Sequence, residues 1–198
     1  MLFRSVSQSR YHALYWRDID FAKNGTGWAV TEPGKIYRKL TTDASFIEYA
    51  DIGPNHSICV YENTDETHDV YVFTAGGSVL KNTGGSGSFA LWSSMGQPTI
   101  WKVKIHPQGY FLGIRTDNSD LMRLNIDASY STVYSGTVSG VAISQSGDIY
   151  IIEDGYLKKS IDEGVTFSNV IATSATNVDI GRDGKIYLYD ASTISSLS

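Results

Sequence analysis

The stretch that decides the fold is Val141-Ala142-Ile143-Ser144-Gln145-Ser146-Gly147-Asp148-Ile149-Tyr150-Ile151-Ile152. An apolar-x-apolar triplet, three polar residues and a glycine lead into a β-branched and aromatic run, a pattern typical of two strands joined by a tight turn. The same pattern surrounds Gly25, Gly109 and Gly184, and a weaker copy has Thr64 in the glycine position. The five anchors lie 37 to 45 residues apart, so the chain contains an internal repeat of about 40 residues.

The first four repeats continue into two further strand patterns, for example Tyr156 to Lys159 and Thr166 to Ile171 in the fourth repeat, and the fifth repeat continues into one, Ile194 to Leu197. Sustained helical periodicity is missing from the sequence, which predicts almost no helix. Four strands in about 40 residues are typical of a propeller blade. We therefore predict an all-β fold, a five-bladed β-propeller of four-stranded antiparallel blades. Six blades and an open two-sheet sandwich are the alternatives.

The two ends of the chain predict how the ring closes. The 14 residues after Gly184 suffice for two strands that follow the last inner strand, and residues 1–15 precede the first inner strand. We expect this N-terminal segment to supply the outer strand of the last blade, which removes an unpaired edge. One domain is expected over residues 1–198, with blades at approximately 16–50, 57–92, 100–134, 140–171 and 177–198 plus 1–15.

Composition limits the classes of function. The chain has 198 residues, 41% of them hydrophobic and 19% charged, with a net charge of −5, which favours a globular protein and disfavours a nucleic-acid binder. The single Cys59 and four scattered histidines predict no disulfide, metal or cofactor. Residues 1–10 contain no apolar signal region, and no apolar run reaches the roughly 18 residues of a membrane span. We expect a soluble chain without membrane insertion, in the cytoplasm or a virion.

One turn of the fourth repeat resembles a known family motif. Ser160-Ile161-Asp162-Glu163-Gly164-Val165-Thr166-Phe167 is similar to the Asp-box, or BNR, repeat of sialidase-like propellers, Ser-x-Asp-x-Gly-x-Thr-Trp. Partial copies are Asp43-Ala44-Ser45-Phe46 and Asp127-Ala128-Ser129-Tyr130. The resemblance implies a structural turn: the side chains of Ser160, Asp162 and Thr166 satisfy backbone donors, with Gly164 in the turn, and Phe167 packs between sheets. The Phe/Tyr-Arg-Ile-Pro motif of sialidases is missing from this sequence, so sialidase activity is not expected.

The turns between the second and third strands are expected to emerge on one face of the propeller. Four of the five turns contain a carboxylate, and such an acidic ring would attract a basic partner or a cation. Ordinary turn chemistry is the alternative, because Asp, Asn and Gly are common in turns. The candidate binding residues are Glu32, Asp117, Asp120, Glu153, Asp154 and Asp190.

The middle positions of the five apolar-x-apolar triplets are expected to line the central channel. They are Asp20, Cys59, Lys104, Ala142 and Asp179. Two carboxylates there would suit acid–base chemistry on a sugar. The favoured interpretation is a solvated channel lining, with one carboxylate paired with Lys104, and Cys59 is expected to be a buried thiol.

These observations predict an interaction or structural module rather than an enzyme. The expected partners are other protein subunits of a larger assembly, such as a phage virion in which the chain is a tail or decoration component. A carbohydrate-binding propeller lectin is the alternative, followed by a glycoside hydrolase.

Overall fold

The computed structural model describes residues 15–32, 34–94, 99–181 and 183–197, and these form strands with a single turn of 3₁₀ helix. Five antiparallel sheets follow one another along the chain, each with its strands in sequence order. Blade 1 contains β1 (Tyr15–Phe21), β2 (Gly27–Glu32), β3 (Lys35–Lys39) and β4 (Ile47–Asp51). Blade 2 contains β5 (Asn55–Glu62), β6 (His68–Thr74), β7 (Ser78–Asn82) and β8 (Ala90–Ser94), with the 3₁₀ turn at Thr83–Gly85.

The remaining three blades repeat this order. Blade 3 contains β9 (Ile100–Ile105), β10 (Phe111–Arg115), β11 (Leu121–Leu124) and β12 (Tyr130–Tyr134). Blade 4 contains β13 (Val138–Ile143), β14 (Ile149–Glu153), β15 (Tyr156–Ser160) and β16 (Ser168–Ala172). Blade 5 contains β17 (Asn177–Ile180), β18 (Ile186–Tyr189) and β19 (Ile194–Leu197). The predicted five-bladed, all-β propeller is confirmed.

The predicted closing strand of blade 5 was assigned to residues 1–15. Residues 1–14 lie outside the described residues, so the closing strand stays a prediction. Tyr15 itself belongs to the inner strand β1, where it is opposite Glu32 of β2.

The repeat glycines have a conformational reason. Gly25, Gly109, Gly147 and Gly184 all follow an inner strand and have φ values of 86°, 88°, 91° and 78°. This left-handed region is strained for residues with a side chain, so glycine is favoured in the turn from each inner strand to the next strand. The preference for glycine at this position therefore explains why glycines recur along the sequence at the period of the blades.

The second strand of each blade explains the apolar runs of the sequence. In β2, β6, β10 and β14 nearly every residue is buried, because each of these strands lies inside a sheet that has a neighbouring blade on both faces. Four apolar cores fill the spaces between consecutive blades, from blades 1 and 2 to blades 4 and 5. The core between blades 2 and 3 contains Phe111, whose ring centroid lies 4.8 Å from that of Tyr71 and 5.4 Å from that of Phe73.

Four of the inner strands contain a bulge close to their first residues. The register shifts at Arg17 in β1, His56 in β5, the Lys102–Val103 pair in β9 and Ser139 in β13. A bulge places one extra residue against the neighbouring strand and redirects its side chain. The bulge residues Arg17 and Lys102 line a cavity at the entrance of the central channel.

Within the ranges that the structure describes, no helix is long and apolar enough to cross a membrane. In these ranges His, Cys, Asp and Glu do not gather in groups of three or more that could hold a metal ion.

Candidate functional site at the mouth of the central channel

Polar side chains join the inner strands of neighbouring blades around the channel. Asp18 of β1 accepts hydrogen bonds from the hydroxyl of Ser57 and, at 3.1 Å, from the amide of Ile58. Ser57 in turn accepts a hydrogen bond of 2.9 Å from the amide of Val103 in β9. One carboxylate and one hydroxyl thus connect three successive blades.

The triplet residues continue these connections further along the channel. The Asp20 carboxylate accepts a 2.8 Å hydrogen bond from the amide of Val60 in the next blade. The thiol of Cys59 lies 3.0 Å from the carbonyl oxygen of Val103, and burial raises its pKa well above the ordinary value. A thiol held in this protonated form is a poor nucleophile, so Cys59 is a packing residue.

The two triplet carboxylates do not form an acid–base pair. Asp20 bonds to the backbone of blade 2, whereas Asp179 lies 3.6 Å from the ammonium group of Lys104. As expected, one triplet carboxylate, Asp179, pairs with Lys104, whereas Asp20 is partly buried and bonded to the backbone rather than solvated. Burial also raises the pKa of Asp18 and of Asp20, despite hydrogen bonds that act in the opposite direction.

Two lysines of β9 differ sharply in their surroundings. Although burial acts to lower it, the pKa of Lys104 is raised above the ordinary value by neighbouring carboxylates, chief among them Asp179. Lys102, two residues earlier, donates hydrogen bonds to the carbonyl oxygen of Ser139, at 2.6 Å, and to the amide oxygen of Asn177. Burial lowers the pKa of Lys102 to about 8. Lys104 is therefore paired with a carboxylate, whereas the hydrogen-bond acceptors of Lys102 are neutral oxygens.

A cavity of about 270 Å³ opens beside Lys102 at this end of the channel. The Lys102 ammonium lies 4.6 Å from the centroid of the Trp101 ring. Blades 1, 3, 4 and 5 all contribute to the wall, which combines cationic, amide and aromatic groups. The residues on which we rely below are Arg17, Asp18, Trp101, Lys102, Asn177 and Tyr189.

Most residues of this cavity are not recognisable from the sequence. The repeat pattern of the inner strands begins at their apolar-x-apolar triplets, and Lys102 and Asn177 precede those triplets. The partners of Lys102 lie 37 and 75 residues away in the chain, so no local pattern could reveal them. The available signal was a basic residue shortly before three of the five triplets, namely Arg17, His56 and Lys102.

The predicted acidic face is largely neutralised by its own neighbours. Glu32 pairs with Arg17 at 2.5 Å, and Asp117 pairs with Arg115 at 2.6 Å. Glu153 pairs with Lys158.

The other three candidate residues of this face contact nearby polar groups or lie in a turn. Asp120 accepts hydrogen bonds from the side chain of Asn118 and from the amide of Gly136. Asp190 accepts hydrogen bonds of 2.7 and 2.8 Å from the amides that follow it, which lowers its pKa to about 2. Asp154 lies in a turn at a φ of 51°. These contacts favour turn chemistry, and a role in binding stays a prediction.

The turn at residues 160–167 has a dense set of local hydrogen bonds. The Asp162 carboxylate accepts from the amide of Thr166, at 2.9 Å, and from its hydroxyl, at 2.6 Å. Ser160 donates to Asp162 at 2.7 Å and accepts from the amide of Gly164 at 2.8 Å. These bonds, led by those from Thr166, lower the pKa of Asp162 to about 2. Phe167 packs against Tyr134 of blade 3, with ring centroids 5.1 Å apart.

The partial copies of this turn are simpler. Asp127 accepts hydrogen bonds from the amide and the hydroxyl of Ser129, at 2.9 and 2.6 Å. Asp43 accepts one from the amide of Leu40 at 2.9 Å. Each carboxylate thus closes its own turn between the third and fourth strands of a blade.

Comparisons with known proteins place the chain in a class of fold. No protein-family model matches the sequence, and no curated protein matches it. The solved structures that resemble it include virginiamycin B lyase from Staphylococcus aureus, with 12% identity and a TM-score of 0.65 over 93% of this chain and 70% of that one. A chain of the nidogen/laminin complex gives 8% identity and a TM-score of 0.74 over 92% and 75%. YCF48 bound to D1 peptide gives 12% identity and a TM-score of 0.64 over 93% and 64%.

The class that fold and comparisons define is the five-bladed β-propeller. At these identities the likeness shows the fold alone, because propellers support many unrelated functions. Two of the three neighbours are seen with a protein or peptide partner, and the third is an enzyme. The BNR, or Asp-box, resemblance is not confirmed by these comparisons.

The same comparison corrects one prediction. The chain was expected not to be an enzyme, because its loops are short and no catalytic group was seen to converge. A lyase has this fold over 93% of the chain, so the architecture does not exclude catalysis. Activity depends on side chains placed on the fold, and the fold by itself decides neither way.

Proposed function

We propose that this chain is an interaction module, one subunit of a larger protein assembly such as a phage virion, in which it serves as a tail or decoration component. This proposal rests on Ile161 and Val165, whose side chains are 78% and 80% exposed at the turn of residues 160–167. Both side chains belong to one short turn, and exposed apolar patches are typical of surfaces that contact another protein.

The turn that presents these two side chains is fixed rather than adaptable. Ser160, Asp162 and Thr166 bond to one another and to the backbone, so the chain does not fold back to bury Ile161 and Val165. Equivalent turns present Ile126 in blade 3, 61% exposed, and Leu40 in blade 1, 38% exposed. In a propeller the turns between third and fourth strands share one edge, so they offer a partner several apolar contacts in fixed positions.

Two finer assignments belong to this proposal. We assign the turn at residues 160–167 to the Asp-box type, with Asp43 and Asp127 in partial copies, on the strength of the hydrogen bonds around Asp162. We also assign the whole of residues 1–198 to one propeller domain. Binding of a basic partner at the acidic face and binding of a glycan are the remaining alternatives, and a glycan array tests the second.

The experiment replaces Val165 with a photo-crosslinking amino acid in the protein produced in its native setting. We expect crosslinks to one defined partner chain, and we expect Ile161→Asp to reduce co-purification of that chain at an unchanged melting temperature. Leu91→Asp is the matched control, because Leu91 is 64% exposed on the outer strand β8 of another blade. Native particles that retain the Ile161→Asp chain at the wild-type level would contradict the proposal.

A further inference from the structure

Lys102 has an unusual backbone for a strand residue. Its φ is 49°, whereas the other non-glycine residues with positive φ among the described residues all lie in turns. It belongs to the bulge of β9, opposite Gly113 of β10. A β-carbon added at Gly113 would lie 3.0 Å from the side chain of Val103. Strain of this kind persists only where the surroundings enforce it, and it is common at ligand sites.

The ammonium of Lys102 also has no matching negative charge. Its two acceptors, the carbonyl oxygen of Ser139 and the amide oxygen of Asn177, are neutral. None of the ion pairs within the described part of the chain includes Lys102. Burial of an unpaired charge is unfavourable, and such groups are ordinarily paired. The contrast with Lys104, which has Asp179 at 3.6 Å, indicates that a counter-charge is missing at Lys102.

We propose that the cavity at the channel mouth binds a small organic carboxylate, with its carboxylate group at the Lys102 ammonium and its flat or apolar body against Trp101 and Tyr189. The volume of about 270 Å³ holds on the order of nine water-sized groups at about 30 Å³ each. An aromatic or six-membered-ring acid of about that number of heavy atoms fits. This site is independent of the turn edge to which we assigned the protein partner.

The other charged groups at the cavity support an anion rather than a cation. Arg17 of β1 adds a second positive charge at the rim, although it also pairs with Glu32. The carboxylate of Asp18 bonds to Ser57 and Ile58 of blade 2. Lys104 also lines the cavity and places a positive charge near this carboxylate, so three cationic side chains face one anionic side chain. The cavity wall therefore has an excess of positive charge in a chain whose net charge is −5.

The direct test is calorimetric titration of the full chain with benzoate, benzamide and inorganic phosphate at pH 7. Benzoate combines a carboxylate with a ring, benzamide has the same shape without the charge, and phosphate has charge without the ring. We expect benzoate to bind at one site, at least tenfold more tightly than either of the others. Equal binding of benzoate and benzamide, or no binding of benzoate, overturns the proposal.

Variants locate the site. Lys102→Met keeps the length of the side chain and removes its charge, and we expect a loss of benzoate affinity of tenfold or more. The matched control is Lys35→Met, because Lys35 lies on β3 away from the cavity and pairs with Glu48 at 2.7 Å. Equal affinity in the Lys102 and Lys35 variants contradicts the assignment.

A pH series on the wild-type chain needs no variant and covers the case in which Lys102→Met does not fold. Burial lowers the pKa of Lys102 to about 8, whereas the pKa of Lys104 and that of Tyr189 are raised above their ordinary values. The other charged groups at the cavity are the carboxylate of Asp18 and the guanidinium group of Arg17. Benzoate affinity is therefore expected to fall by about tenfold or more between pH 7 and pH 9.5. A flat profile over that range refutes the role of Lys102.

Discussion

The contact between blades 2 and 3 and the junction between blades 5 and 1 use equivalent strands but pack differently. Between blades 2 and 3, Phe111 is fully buried among aromatic rings. At the junction of blades 5 and 1, Trp16, Ile19 and Phe21 of β1 are 51%, 47% and 46% exposed. A cavity lined by Trp16, Ile19 and Tyr189 lies at this junction. The four consecutive contacts thus have closed apolar cores, whereas the described residues leave this fifth contact incompletely covered.

This difference separates the residues that stabilise the fold from the residues that are accessible for binding. The apolar area buried in a closed core becomes exposed only when the protein unfolds. Substitutions there therefore change the free energy of unfolding. Among the described residues, the junction of blades 5 and 1 lies beside the channel mouth, where Arg17, Asp18 and Tyr189 line cavities.

Removal of residues 1–14 tests whether the N-terminal segment covers the junction as the closing strand of blade 5. We expect a chain that starts at Tyr15 after an initiating methionine to lose much of a stability margin of about 5–15 kcal/mol, because one strand ladder and its packing disappear. Urea denaturation measures the loss. The control is a chain with the same fourteen residues in scrambled order, which we expect to behave like the truncation. Unchanged stability of the truncated chain would rule out the closing strand.

Substitution of one phenylalanine on each side of the comparison gives the next largest effect. Phe111→Ala empties a buried ring site and is expected to cost about 3–5 kcal/mol. Phe21→Ala, at a half-exposed ring, is expected to cost about 1 kcal/mol or less. Chemical denaturation of the two variants measures both values. Similar losses at the two positions would show that the junction is as closed as the core.

Two glycines with positive φ provide a matched pair. Gly164 has a φ of 90°, and a β-carbon there would lie 2.3 Å from the Cγ1 atom of Val133 in blade 3. Gly184 of blade 5 has a φ of 78°, and a β-carbon there would meet nothing within 4 Å. We expect Gly164→Ala to cost about 1–3 kcal/mol more than Gly184→Ala, since only the former adds a clash to the backbone strain. An equal decrease in melting temperature would contradict a tight contact between blades 3 and 4.

The smallest effect concerns the charge of Asp162. Its pKa is lowered to about 2 by hydrogen bonds from Thr166 and Ser160, whereas the unfolded value is about 3.9. A lowered pKa in the folded state contributes stability above the unfolded pKa, and this contribution is lost as the pH falls towards 2. The melting temperature is expected to fall more steeply between pH 4 and pH 2 in the wild type than in Asp162→Asn. Parallel pH profiles of the two proteins would show that the carboxylate does not hold the turn.

The architecture was predictable because it depends on local signals. An apolar triplet, a turn glycine and an apolar run specify a hairpin within about a dozen residues, and the positive φ of Gly25 and Gly147 makes glycine necessary there. The period of these hairpins then predicted five blades. Local carboxylate turns, such as that of Asp162, were also recognisable from their spacing.

The channel mouth was not predictable, because its properties arise between distant segments. The pKa of Lys102 depends on burial by blades 4 and 5, and the bulge that redirects its side chain has no sequence signature of its own. The ion pairs of the acidic face were not predictable for a related reason. Its carboxylates are visible in the turn sequences, but partners such as Arg17 come from a different strand.

The proposed ligand site at the channel mouth depends most directly on the protonation of Lys102. Competitive acetylation of the intact chain with acetic anhydride, followed by mass spectrometry at each pH, measures the pKa of individual lysines. We predict that Lys102 titrates near pH 8 and that Lys104 remains protonated to a pH above its ordinary pKa of about 10.4, because Asp179 lies beside it. Titration of Lys102 at the ordinary value would show that its ammonium is already matched, and would contradict the assignment of the channel mouth as a ligand site.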